Sequence, residues 1–507
     1  MCDEYKYMKT MVITGSKMRS WRTWVVSAAM LAVILPQVAT AQTNVVIRGQ
    51  TVNCADKEIG LYTYSDQLSR QEVLLDNYMI DSTQSFELHT YINYPTLVFV
   101  QIENYSQSFY IEPGRTYDVY IPRFNWNLDE TMNVYLAPEA LTVEFMNVKS
   151  DELNLKISRL DEYVDSFVQA NIYYFDHKFR PQSRYFDTLM AGVDANFPQS
   201  ENEFFNRYKL YTLAQMRYQM RFESRRKIIN QYIANQPILY YDDSYMSLFF
   251  SLFENSISKG TDKISLRRLV DWVDHCATDR LLDSLGLDPL LRNEQVRELA
   301  ALQAMKEAYY NPAYRRDNVV CMVERLGAET KFPDHRKLAQ NLLLSFRKME
   351  KGFEVPDFAL QDVDKNMVSL DSFRGKWVYL SFIRVGDPNS LAEIRTLAHF
   401  RDSVYSRSDN VEFVTIVCDR EFQKMYHFLK NSPHGNRYRW TWLHFGGNFK
   451  LLEHFGVVSY PTFLLINPEG QLHYTVTPPP ASGILLHGPW EPRRQDQASG
   501  TPFYLQH

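Results

Sequence analysis

The hydrophobic period of this chain changes twice, and each change announces a different kind of fold. From Asn44 to about Pro138 the apolar residues come in short, strand-like runs. Val45-Val46-Ile47 and Tyr62-Thr63-Tyr64 come first, Ser85-Phe86-Glu87-Leu88 alternates, and Leu97-Val98-Phe99-Val100 is continuous. Glu112-Pro113-Gly114 signals a turn ahead of the alternating Tyr117, Val119 and Ile121. Short strands with turn residues between them predict an antiparallel all-β sandwich over 42–140. Its tyrosines read as half-buried strand residues rather than a ligand platform, and no catalytic motif stands out.

From about Leu141 to Glu350 the period becomes helical. Leu153, Ile157, Leu160, Val164 and Phe167 share one face, with Asp151, Glu152, Asp161 and Asp165 outside it. The spacing recurs at Leu299, Leu302, Met305 and Ala308, and again at Leu338, Leu342, Leu343 and Phe346. Prolines 181, 198, 237, 289 and 312 punctuate the segments. This predicts an all-α domain over 141–350 with about eight to ten helices, an interaction or spacer module. The basic run Arg217, Arg221, Arg225, Arg226 and Lys227 reads as a solvated helix face rather than a binding patch, because the chain is net acidic.

Beyond Gly352 strands and helices alternate, which predicts an α/β domain over 351–477. Residues 377–382 form a buried-strand run, a helix follows over 388–405, and a second strand covers 411–417. A helix is expected near 422–430. The strand 462–466 is expected to form a hairpin with Leu472, Tyr474 and Val476 around Pro468-Glu469-Gly470. The tail, 478–507, is rich in Pro, Gly, Gln and Arg and is expected to be disordered.

The N-terminus bears on compartment. Lys17, Arg19 and Arg22 precede an apolar run over 24–35, which Pro36 breaks before Ala39-Thr40-Ala41. That pattern predicts a signal peptide over 1–41, cleaved before Gln42, with Met18 as an alternative start. A membrane anchor is the weaker reading, since the run is short for a bilayer and no charged stop-transfer patch follows. The mature chain is therefore expected to be periplasmic or secreted and not integral to a membrane. No cysteine stands at a lipid-attachment position.

A formal charge of −5 leaves no electrostatic footprint for nucleic acid. Five cysteines in 507 residues are too few for a disulfide scaffold. Cys54, Cys276, Cys321 and Cys418 remain after cleavage. Cys276 and Cys321 share the helical region, where an oxidising compartment permits pairing, and spacing alone leaves that open. His427, His434, His444 and His454 follow no metal-site spacing, so neither metal nor cofactor is expected.

Four pieces of the last region fall in a telling order. Val355-Pro356-Asp357-Phe358 with Leu360 comes first, and Val368-Ser369-Leu370 then leads to Phe373-Arg374-Gly375-Lys376. Val457-Val458-Ser459-Tyr460-Pro461-Thr462-Phe463 and Asn467-Pro468-Glu469-Gly470 follow. Together they resemble the secreted thioredoxin-fold proteins of the TlpA/ResA-like thiol–disulfide reductase and peroxiredoxin-like (AhpC/TSA) group, over about a quarter of the chain. The two preceding regions resemble, more loosely, the sandwich-plus-helices arrangement found upstream of such domains in some Gram-negative secreted proteins.

The resemblance implies a thioredoxin-like fold, a cis-proline at Pro461, and a groove where Tyr460 and Pro461 present backbone to an extended peptide. It also implies a Cys-x-x-Cys at the first turn of the helix after the central strand. Aligned from Phe382, this chain has Asp387-Pro388-Asn389-Ser390 there, with Glu393 at an acidic position common after the motif. Both cysteines are missing. A serine hydroxyl neither forms nor resolves a disulfide, and a carboxylate has no such chemistry. The peroxiredoxin variant lacks its cysteine on the same count.

Asp387 reads as a helix N-cap, with Pro388 at the first helical position, rather than as a general base. Cys418, just past the second strand and at the same sheet end as Asp387, is a weak redox candidate set against a plain strand-end residue. The expected function is therefore a cell-envelope thioredoxin-fold protein without the redox pair, binding a protein or peptide or acting as a scaffold. The alternative is a thiol–disulfide oxidoreductase of periplasmic redox homeostasis, working through Cys418 or a partner thiol. A glycan-binding or hydrolytic sandwich has no motif behind it.

Overall fold

A computed structural model describes residues 43–124, 139–175, 183–348, 350–403, 410–431, 437–474 and 477–483. The expected signal peptide, His434 and residues 484–507 of the expected tail lie outside the described residues.

Nine strands come first among the described residues: β1 (Thr43–Thr51), β2 (Glu58–Tyr64), β3 (Glu72–Met79), β4 (Ser85–Ile92), β5 (Thr96–Ile102), β6 (Tyr105–Ile111), β7 (Thr116–Ile121), β8 (Glu139–Ala140) and β9 (Glu144–Phe145). They form two sheets, ordered β4-β1-β7-β9 and β3-β2-β5-β6-β8. Alternation turns Phe86 and Leu88 of β4 and Tyr117, Val119 and Ile121 of β7 inward. There they meet Val45, Ile47, Ile59, Leu61, Val98 and Val100 in a shared core. The sheets are not purely antiparallel, as the sequence reading expects. β1 runs parallel to β7, from Val46 opposite Thr116 to Thr51 opposite Ile121, and β6 runs parallel to β8. Only a hairpin forces antiparallel pairing, and β7 is reached from the other sheet.

Eleven α-helices follow among the described residues: α1 (Leu153–Ala170), α2 (Ile172–Phe175), α3 (Ser183–Asn196), α4 (Glu203–Gln219), α5 (Arg225–Tyr232), α6 (Asp243–Phe253), α7 (Leu266–Asp274), α8 (Thr278–Gly286), α9 (Glu294–Tyr309), α10 (Arg316–Glu329) and α11 (Pro333–Arg347). That exceeds the expected number, because α2 and α5 hold too few turns to show a period. The side chains of Asn202, Ser224, Asp242, Ser265 and Asn293 cap helix starts by accepting backbone N–H groups. Helix α9 is buried on nearly every side, and its Ala300, Ala301, Ala304 and Ala308 let neighbours approach closely.

The basic run departs from expectation. Ser224 breaks it between two helices, and two of its arginines pack inward. The Arg217 guanidinium lies 5.0 Å from the Phe186 ring centroid and 3.4 Å from the Glu223 carboxylate. Arg225 lies 5.0 Å from the Phe253 centroid and donates to the Leu252 carbonyl at 2.5 Å. The run is neither one solvated face nor a patch. Cys276 and Cys321 form a disulfide with a Cα–Cα distance of 5.9 Å, which closes the alternative that spacing leaves open.

His335 of α11 is buried, with Nδ1 2.9 Å from the Glu298 carboxylate and Nε2 2.7 Å from the Tyr240 hydroxyl. Burial lowers its pKa below the ordinary 6.5, with Glu298 opposing. The folded chain then binds fewer protons here than the unfolded chain, so this contribution is complete above pH 6.5 and lost as the pH falls below it. Urea stability is expected to decline between about pH 7.5 and 5.5, and His335→Gln should flatten that slope. Equal slopes in the two proteins would refute this assignment.

The C-terminal region comprises β10 (Ala359–Asp362), β11 (Met367–Ser369), β12 (Trp377–Ile383), α12 (Pro388–Ser403), β13 (Val411–Val417), α13 (Phe422–Tyr426), β14 (Thr441–His444), α14 (Phe449–His454) and β15 (Thr462–Ile466). Its sheet runs β11-β10-β14-β13-β12-β15, with β12, β13 and β14 parallel and β15 and β10 antiparallel to their neighbours. Both faces are covered, which explains the continuous apolar runs. Val378, Leu380, Phe382, Val414 and Ile416 meet Leu452 and Phe455 on one face, and Tyr379 and Phe413 meet Ile394 and Leu397 on the other.

Three local expectations change. Among the described residues the hairpin's second arm consists of isolated bridges from Leu472 to Ile466 and from Gln471 to Glu354, because the chain turns toward the loop before β10, and Val476 lies outside the described residues. Helix α13 ends at Tyr426 and continues as a π turn over His427–Asn431. The start of the tail is ordered: Pro480–Ser482 forms a 3-10 turn, the Ala481 N–H donates to the Glu393 carboxylate at 3.0 Å, and the Tyr379 hydroxyl donates to the Pro478 carbonyl at 2.9 Å.

Candidate functional site

The carboxyl ends of β12 and β13 bring the sequence-predicted residues together. At the start of α12 the Asp387 carboxylate accepts the Ser390 N–H at 2.7 Å and the Ser390 hydroxyl at 2.6 Å. Both bonds go to one oxygen, and the bond from the Ser390 N–H is the one that makes Asp387 an N-cap. Ser390 is fully buried, and the Arg384 N–H approaches its hydroxyl at 3.5 Å. Gly386, Pro388 and Asn389 are exposed.

Cys418 is buried, and its N–H donates to the Ile383 carbonyl at 2.8 Å. Burial pushes the thiol far above its ordinary range, while a hydrogen bond with Tyr460 pulls the other way. A thiol held protonated and out of solvent is a poor nucleophile. Tyr460 is itself largely covered, and burial, then Cys418, raises its phenol. The Tyr460–Pro461 peptide bond is cis. Thr462 pairs with Phe382, so the same register sets Pro461 level with Ile383, beside the approach to α12.

Two residues hold this end of the sheet: Asp419, and His444, which the sequence reading weighed as a metal ligand and set aside. The buried Asp419 carboxylate accepts the Val385 N–H at 2.7 Å and so fixes the loop between β12 and α12. Its carbonyl lies 2.8 Å from His444 Nε2, while the Gly446 N–H donates to His444 Nδ1 at 3.1 Å. An accepting Nδ1 assigns the proton to Nε2, and burial lowers the His444 pKa. With both nitrogens engaged, His444 is structural. No sequence spacing marks Asp419, since its partner is a backbone N–H.

The sandwich reaches the same rim. Arg420 pairs with Glu103, donates to Asn104 Oδ1 at 3.2 Å, and lies 5.2 Å from the Phe449 ring centroid and 5.6 Å from that of Tyr105. Glu103 also pairs with Lys57. Lys450 meets Glu72 at 2.5 Å and lies 4.2 Å from the Tyr62 ring centroid. Beside these contacts a cleft of about 630 Å³ opens, lined in part by His444, Gly446 and Gly447. His427 has its ring Nδ1 2.7 Å from Asn431, and His454 closes α14. Among the described residues no group of three or more His, Cys, Asp or Glu side chains could hold a metal ion.

The parallel strands, the flanking antiparallel strands and the cis-proline beside the first helix define a thioredoxin-like domain. A family profile described as thioredoxin-like matches residues 375–472. Thiol-disulfide oxidoreductase ResA of Bacillus subtilis is 25% identical over 137 residues, which cover 25% of this chain and 68% of that protein. Among solved structures, the thioredoxin domain of a thiol-disulfide oxidoreductase from Bacteroides vulgatus is 21% identical, covering 24% of this chain and 86% of that one with a TM-score of 0.22. A thiol-disulfide oxidoreductase from Bacteroides fragilis is 18% identical, covering 26% and 97% with a TM-score of 0.22. The profile and the fold carry the assignment, and it extends to this domain alone. Among the described residues no helix is long and apolar enough to cross a membrane.

Proposed function

We propose that this chain is a cell-envelope protein whose thioredoxin-like domain has lost the redox pair of the resembled family and serves as a peptide- or protein-binding module. One observation carries the reading: Asp387 and Ser390, at the cysteine positions of the resembled motif, close on each other as a helix cap. The chemistry needs an attacking and a resolving sulfur, and oxygen supplies neither. The sealed Cys418 thiol argues against the oxidoreductase alternative. Exposed Gly386, Pro388, Asn389 and Val458 flank the Tyr460–Pro461 bond and offer an extended segment a place to lie. The Cys276–Cys321 disulfide supports a location outside the reducing cytosol. The proposed units are a signal peptide over 1–41, a sandwich over 42–140, helices over 141–350 and the thioredoxin-like domain over 351–477.

Incubation of the full chain with a dithiol reductant and a model disulfide is the direct test. No turnover above the uncatalysed rate is expected, and Cys418→Ser should change nothing. Turnover that vanishes in Cys418→Ser would establish the oxidoreductase instead.

A further inference from the structure

An open cleft of about 1200 Å³ runs between α1 and the sandwich. One of its walls is β6. On one side β6 pairs with β5 throughout, from Thr96 opposite Ile111 to Ile102 opposite Tyr105. On the other side it has, among the described residues, a strand neighbour only at its start, where β8 pairs with Tyr105 and Ser106 and the Leu141 N–H donates to the Ser106 carbonyl at 2.9 Å. At the far end a side chain stands in for a strand. The Tyr110 N–H donates to Asn154 Oδ1 at 2.7 Å, and Asn154 Nδ2 donates back to the Tyr110 carbonyl at 2.8 Å. Strand backbone alternates with a period of two, so Ser106, Ser108 and Tyr110 turn to the same side. Ser108 is exposed in the cleft, and its carbonyl accepts from the adjacent Gln107 amide at 3.0 Å. Among the described residues its N–H has no acceptor opposite it.

The remaining walls have a strong charge bias. Glu144, Glu152, Asp161, Glu162 and Asp165 line the cleft, and no Lys, Arg or His appears among its described lining residues. Glu152 caps α1 by accepting the Leu155 N–H at 2.8 Å, and Asp161 accepts the Tyr208 hydroxyl at 2.8 Å. Glu144, Glu162 and Asp165 stay exposed. Between these charges Phe145 is half-buried and Val148 is exposed.

We propose that this cleft is a strand-addition site for an extended basic segment of a partner protein. The segment pairs its backbone with Ser108 between β8 and Asn154, sets apolar side chains on Phe145 and Val148, and sets basic ones on Glu144, Glu162 and Asp165. Backbone pairing supplies the docking, and charge complementarity selects the occupant. An acidic segment or a nucleic acid meets only repulsion here. This site is separate from the Tyr460–Pro461 rim and does not depend on its reading.

The test titrates a fluorescent, alternating Lys–Val peptide into the full chain and follows anisotropy, with a Glu–Val peptide as control. Ser108→Pro deletes the outward N–H but leaves the β5 ladder, which does not use it. Saturable binding of Lys–Val alone is expected, weakened about tenfold by Ser108→Pro and again by Glu162→Lys with Asp165→Lys, and weakened by salt. The charge-reversed residues are exposed, so that variant remains informative if the proline variant fails to fold. Absent binding, equal binding of both peptides, or loss on charge reversal but not in a folded Ser108→Pro protein would overturn the proposal.

Discussion

Replacing Cys276 and Cys321 together by alanine is expected to destabilise the helical region by about 4 kcal/mol. The cysteines are 45 residues apart, and the bond between them closes a loop that contains α8 and α9. In the unfolded chain that closure removes conformational freedom in proportion to the logarithm of loop length. The folded state has other fastenings at the same seam. Arg325 donates to the Cys276 carbonyl at 3.0 Å, and Asn318 donates to Asp274 at 2.8 Å. The native arrangement therefore outlasts the loss of the sulfurs, and the cost arises almost wholly from the freed unfolded chain. Both cysteines are partly exposed, so a reductant should reproduce the effect of the substitutions. Urea titrations followed by helical circular dichroism measure it. A loss below about 1 kcal/mol would mean that the unfolded chain is already held together in this region.

The features that were legible in the sequence are those that a local pattern determines. Alternation in β4 and β7 and the continuous runs of β12 and β13 reflect burial on one face or two, and the structure has each as a strand. Asp387 with Pro388 is a helix start in any context, and the cap forms. The cis bond at Pro461 follows the motif around it. Features that depend on distant partners were not legible. Nothing near β1 indicates that β7 will lie parallel to it, because that pairing is set by the path between the sheets. Arg217 and Arg225 look solvated until Phe186 and Phe253 supply aromatic faces to cover them. Arg420 and Glu103 meet across 317 positions, and no spacing rule links two single charges so far apart.

The candidate site shows the same division in miniature. The helix start at Asp387 was legible because a cap and a proline are adjacent in the chain. The rest of the site's architecture was not. Asp419 holds the loop ahead of α12 through a backbone N–H, and His444 is engaged at both nitrogens by backbone groups. Backbone partners leave no mark in a sequence. The burial of Cys418 depends on strands and on Tyr460 arriving from elsewhere in the chain, so an apparent rim residue is in fact sealed.

On the proposed reading, placing cysteine at both 387 and 390 is expected to give the chain disulfide exchange. The spacing is one helical turn, which brings the two side chains together: the Asp387 carboxylate already reaches the Ser390 hydroxyl at 2.6 Å. The first would stand at the N-terminus of α12, where the helix dipole favours a thiolate. The second would take a fully buried, serine-sized position, which suits a thiol that only resolves the mixed disulfide. Removing the Asp387 cap costs about 1 kcal/mol, too little to unfold the domain. With a dithiol as the electron source, each turnover carries two electrons through the new pair to the model disulfide. Turnover should rise at least about a hundredfold over the unaltered chain. Asp387→Cys alone, mixed with the model disulfide before any dithiol is added, should stop at the mixed disulfide, because its own domain offers no resolving thiol. If the doubly substituted protein keeps its circular dichroism and stays inert, then more than sulfur separates this domain from its redox relatives, and the proposed reading of the α12 start is wrong.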